Sequence, residues 1–118
     1  MEIEFAVAEI VKLLSIVNNW PVHKAGEWKL ISALGDALEL TDAEREGCQW
    51  QEAAVRGQRV YVYDAGYSVT RTLEPRAREA LAQMVQNPPP EVPWHRPELM
   101  LYESLLAKLG VEVDDESA

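Results

Sequence analysis

A chain of 118 residues, 47% hydrophobic and 26% charged, has the length and composition of one globular domain and not of a disordered chain. Its formal charge of −9, from 20 acidic against 11 basic residues, repels a polyanion at long range. No uncharged apolar run approaches the ~18 residues that span a bilayer, and Glu2 and Glu4 are of the wrong sign for a signal peptide. A cytoplasmic protein with no membrane contact is expected. The single cysteine, Cys48, excludes an intramolecular disulfide and any multi-thiolate metal site.

In chain order, Phe5, Val7, Ile10, Val11, Leu14 and Val17 recur at helical spacing and predict an opening amphipathic helix over 5–17. Asn18-Asn19-Trp20-Pro21 ends it, because asparagine favours turns and the residue before a proline is pushed out of helical geometry. A second helix is expected from about 25 to 38, with Trp28, Ile31, Leu34 and Leu38 as its inner stripe. Thr41-Asp42-Ala43-Glu44 has the form of a capping box and starts a short third helix.

The period then changes to two. Residues 48–51 and 58–63 read as strands joined by a turn at Arg56-Gly57, although 52–55 suits an extension of the third helix equally well. After a second turn at Asp64-Ala65-Gly66, Tyr67, Val69, Arg71 and Leu73 alternate with Ser68, Thr70 and Thr72. The strands are expected to form an antiparallel meander of two or three strands. Glu74-Pro75 opens a further helix whose inner stripe is Ala77, Ala80, Leu81, Met84 and Val85. The five prolines in 88–97 make a stiff, docked strut with Trp94 as its anchor, ahead of a last helix that presents Leu101, Leu105 and Leu109 and is capped by Gly110.

The fold class expected is therefore α+β: about five helices around a small antiparallel β-meander, with a winged-helix-like arrangement as the alternative. Residues 1–110 form a single domain, and 111–118 form an acidic tail with nothing to bury. The expected core holds Phe5, Ile10, Leu14, Trp28, Ile31, Leu34, Trp50, Val69, Leu81 and Leu105.

No constellation of residues carries catalysis. Phosphate-cradling glycine motifs and the nucleophile elbow are missing, and His23, His95 and Cys48 lack the paired spacing of metal ligands. A non-enzymatic chain without cofactor or metal is expected. Of the four tryptophans, Trp28 and Trp50 fall on stripes that read as core, while Trp20 and Trp94 each border a proline in a loop and suit either packing or binding. Residues 56–78 hold five arginines (Arg56, Arg59, Arg71, Arg76, Arg78) against Asp64 and Glu74. A wing using Arg59 and Arg71 beside Tyr61 and Tyr63 would reach phosphates. The would-be recognition segment over 41–51 carries three acids and one arginine, however, so nucleic acid is not the expected partner.

The apolar opening helix followed by Pro21-Val22-His23-Lys24-Ala25-Gly26, the leucine-rich entry into Leu40-Thr41-Asp42-Ala43-Glu44, and the closing Leu99-Met100-Leu101-Tyr102-Glu103-Ser104-Leu105 resemble a group of short bacteriophage- and prophage-encoded proteins. The proline-rich segment and the tyrosine-rich hairpin depart from that group's pattern. The group has no established activity or site residues, so the resemblance implies only a phage setting, in which small acidic proteins often bind a host or phage protein. The expected function is a protein-interaction module, an accessory or regulatory factor, with Arg59, Tyr61, Tyr63, Arg71, Trp94 and Trp20 as its binding residues. A winged-helix-like nucleic-acid-binding regulator and an acidic DNA-mimicking inhibitor are the alternatives.

Overall fold

Glu2-Ile3-Glu4-Phe5-Ala6 alternates between solvent and core, and it forms a strand instead of the first turn of a helix. The computed structural model describes residues 2–111. The chain runs β1 (Glu2–Ala6), α1 (Val7–Asn18), α2 (Ala25–Leu38), α3 (Asp42–Gly47), β2 (Gln51–Val55), β3 (Gln58–Val62), β4 (Ser68–Thr72), α4 (Pro75–Gln86), a 3₁₀ turn (Arg96–Glu98) and α5 (Leu99–Lys108). The fold is α+β, with five α-helices packed around small open antiparallel sheets.

The strands do not form one meander. β1 pairs antiparallel with β4, Phe5 facing Val69, while β2 and β3 pair only with each other. The meander expected from consecutive strands is corrected for a physical reason. β1 offers Ile3 and Phe5 as buried partners for Val69, whereas the hairpin buries neither of its faces fully. Residues 52–55 are strand, not an extension of α3.

The termini of the elements follow local chemistry. The N–H groups of Val7 and Ala8, unpaired within α1, donate to the carbonyls of Tyr67 and Ala65, and the Glu9 carboxylate accepts the N–H of Ala6. The Thr41 hydroxyl accepts the N–H of Glu44, whose carboxylate accepts the N–H of Thr41, closing the expected capping box. At the end of α5, Gly110 takes φ 83°, and the N–H groups of Gly110 and Val111 reach the carbonyls of Ala107 and Leu106, the Schellman arrangement. Val111 thus belongs to the folded cap; the remainder of the expected acidic tail, 112–118, lies outside the described residues.

One cluster forms the core: Ile3 and Phe5 from β1, Val7, Ile10, Leu13, Ile16 and Val17 from α1, Val69 from β4, Leu81 and Val85 from α4, and Leu105 from α5, among others. Of the residues expected there, Leu14, Ile31 and Trp50 pack partly buried against it and Trp28 does not join it, remaining 64% exposed. At ~100° per residue Trp28 lies about 120° around α2 from Leu34, so the stripe drifts off the core before reaching it.

The proline segment docks as a strut. The Trp94 indole N–H donates to the Val85 carbonyl at 2.8 Å, its ring meets Tyr102 edge-on at 5.1 Å, and the Lys12 ammonium lies 4.6 Å from its centroid. Lys12 also donates to the Pro93 carbonyl and pairs with Glu98, so one side chain of α1 holds the middle of the strut and the turn that follows it. Burial alone would push the Glu98 carboxyl up, but the His95 N–H and Lys12 outweigh it and hold it below the ordinary range.

Candidate interaction groove

Helix α1 is apolar on more than its core face. Val7, Ile10, Leu13 and Ile16 are buried, and a second stripe, half-buried Val11 and Leu14 followed by the polar Ser15 and Asn18, lies at the edge of the core and lines a cleft. Apolar residues on a helix face beyond what the core covers mark a surface that another element can occupy.

That stripe is the floor of a groove. A cleft of about 470 Å³ lies over Val11 and Leu14, walled by Trp50 and Tyr61. A second cleft of about 310 Å³ lies between the end of α1 and α2, walled by Trp20, Trp28 and Ile31. Asn18 and Glu39 line both, so the two depressions are neighbours along one surface. Together they make an interrupted groove with the indole of Trp28 at one end and the phenol of Tyr61 at the other.

The hairpin wall is built with three left-handed residues. Gln49, at φ 56°, ends α3: its N–H and that of Trp50 reach the carbonyls of Glu46 and Arg45, the Schellman arrangement with a non-glycine at its left-handed position. This reversal delivers Trp50 to the base of β2. Arg56 and Gly57, at φ 53° and 77°, then close the two-residue turn between β2 and β3. On one face of the ribbon Trp50 stacks on Tyr63 at 4.8 Å and tilts against Tyr61 at 5.2 Å, with the Arg45 guanidinium 5.9 Å from the indole. Burial and the neighbouring Cys48 push the Tyr63 phenol up from its ordinary value, so it stays neutral. The opposite face carries Val55 and Val62, both exposed.

The six residues singled out in the sequence divide. Tyr61 and Trp20 line the groove, and Tyr63 supports it from beneath Trp50. Trp94 faces its own domain, beside a smaller cleft of about 240 Å³ with Leu99 and Tyr102. Arg59 is exposed and pairs with Glu52 across the ribbon. Arg71 lies under the surface in a two-pronged pair with Glu44, 2.6 Å at each contact, and donates to the Glu39 carbonyl at 3.0 Å. Arg59 and Arg71 are thus each engaged by a glutamate, and α3, in the position of a recognition helix, is six residues long.

No family model matches the chain, and no curated protein or solved structure is significantly similar to it. The groove is read from its own geometry. Sequence reasoning missed Leu14, Ile31 and Trp28 as groove residues because each is expected in the core, and Val11 because it reads only as part of the apolar spacing of the opening helix. A signal was present in the sequence, since α1 holds more apolar residues than one stripe accommodates.

Among the described residues, no group of three or more His, Cys, Asp or Glu is placed to hold a metal ion. Cys48 is buried, while His23 and His95 are exposed. No helix of the described chain is long and apolar enough to cross a membrane.

Proposed function

We propose that this protein is a non-enzymatic interaction module that receives an amphipathic segment of a protein partner in the groove over α1. One observation carries the reading: two neighbouring clefts share Asn18 and Glu39, with half-buried Val11 and Leu14 on the floor of one and aromatic side chains from α2 and the hairpin along their walls. Aromatic anchors around a concave, partly apolar surface are a common energetic centre of peptide- and helix-binding sites. A two-stranded ribbon standing apart from the other sheet is marginal alone, and its aromatic face gains support from any segment laid against it. A phage accessory or regulatory factor acting on a host or phage protein is the setting that the sequence resemblance implies.

Photo-crosslinking tests the reading. A crosslinking side chain placed at Trp28 or Tyr61 in the groove should capture the same partner, and one at Val62 or Met100 should not. Capture confined to Val62 or Met100 would replace the groove with the outer face of the hairpin or the start of α5.

A further inference from the structure

In the last turn of α2 stands Gly35, and the fold does not require it. Its backbone is ordinary helix. A Cβ built there would meet Val17 at 3.7 Å and Asn18 at 3.9 Å, which is normal van der Waals contact. Glycine inside a helix costs ~1 kcal/mol relative to alanine, so this position sacrifices stability for no gain in packing. What it leaves is space, because Gly35 lines the 310 Å³ cleft between Trp20 and Trp28.

The chemistry of that cleft is specific. Its apolar walls are two indoles, which make no ring contact with each other, and the aliphatic Val17, Val22 and Ile31. Its charged lining is wholly acidic, Asp36 and Glu39. Glu39 has a partner in Arg45, while Asp36 has no hydrogen bond or ion pair. Indole faces attract cations, and a planar guanidinium stacks on them more readily than an ammonium does, while its methylene stem suits the apolar walls. We propose that this end of the groove takes an arginine side chain of the partner segment, with the guanidinium against the indoles and near Asp36 and the stem over Gly35 and Ile31. The inference rests on the groove reading above and adds the chemistry of the partner's anchor residue. Charge complementarity supports it beyond the cleft, since the whole chain is at −9 and favours a basic partner.

The test uses the full chain labelled with ¹⁵N, following the indole N–H signals of its four tryptophans. The probes are N-acetyl-leucyl-arginine amide and its neutral isostere N-acetyl-leucyl-citrulline amide. The arginine probe is expected to shift Trp20 and Trp28 saturably and to bind at least about fivefold more tightly than the citrulline probe. Trp94, tied to the Val85 carbonyl, is the fixed reference. Asp36→Asn should reduce the preference for arginine. Gly35→Leu should abolish binding while the thermal midpoint holds or rises, a combination that a purely structural role for Gly35 cannot give. Equal binding of both probes, or saturable shifts at Trp50 alone, would overturn the arginine site and leave the groove standing. No saturable shift at any indole would count against both.

Discussion

Arg71 on β4 grips Glu44 on α3 through both guanidinium nitrogens, each 2.6 Å from a carboxylate oxygen. The arginine that looks from its sequence position like a phosphate contact is a clamp between two elements, and its partner is the same glutamate that closes the α3 capping box. Removing Arg71 leaves a mostly covered carboxylate without its cation, and truncating one partner of such a pair is more costly than the pair's net worth. Arg71→Ala is expected to lower stability by about 1–3 kcal/mol in denaturant unfolding. Arg71→Lys should restore little of this, because an ammonium cannot make the two-pronged contact.

The same pair sets an acid limit. The Arg71 hydrogen bonds, with smaller help from Thr41, hold the Glu44 carboxyl down at about 2 from an ordinary 4.5. A depressed carboxylate stabilises the fold fully above its unfolded value and loses that contribution as pH falls through its folded value. Stability measured from pH 6 downward should therefore fall between about 4.5 and 2, and Glu44→Gln should remove part of that slope. An unchanged slope in Glu44→Gln would show that other carboxylates carry it.

Duplex DNA is expected not to bind near physiological salt. Arg71 is engaged by Glu44, Arg59 pairs with Glu52, and a chain at −9 repels the backbone. A mobility shift that weakens with salt and disappears in an Arg59→Ala variant would contradict this.

Two backbone positions invite stabilisation. Gln49 and Arg56 hold left-handed φ, which glycine adopts freely and asparagine tolerates. Gln49→Gly and Arg56→Asn should each stabilise the fold by about 0.5–1 kcal/mol, read as a rise in thermal midpoint. A fall for Gln49→Gly would mean that its side chain contributes more than the strain costs.

Trp94 separates packing from binding. Its indole is bonded to the Val85 carbonyl and packed on Lys12 and Tyr102, so its fluorescence should be blue-shifted, and Trp94→Ala should cost about 2–4 kcal/mol. Partner binding by the fraction that stays folded should be unchanged. Normal stability with lost binding would move the binding surface to the strut.

The helices were legible because their signals are local: the Thr41 capping box, Pro75 at a first turn and Gly110 at a helix end act within a few residues. The strut was legible because proline restricts the chain wherever it stands. β1 was not, because Ile3 and Phe5 alternate for only five residues before the helical spacing of α1 takes over, and their partner strand is more than sixty positions away. The sheet pairing was misread for the same reason, since proximity in sequence favours β3 as the neighbour of β4 while burial favours β1. Trp28 sits next to Ile31 on the α2 stripe but about 120° around the helix from Leu34, and which of the two faces the core is set by how α2 packs on α1. The groove could not be read from any one segment, because α1, α2 and the hairpin each contribute one side.

The most direct measurement is the affinity of the crosslinked partner for four variants that retain the wild-type melt: Trp28→Ala and Tyr61→Ala in the groove, Val62→Ala and Met100→Ala outside it. Hot-spot aromatics commonly contribute ~2 kcal/mol or more, so each groove variant should weaken binding by about tenfold or more, while the other two stay within about twofold of wild type. Wild-type affinity in both groove variants, with the loss at Val62 or Met100, would contradict a binding groove over α1.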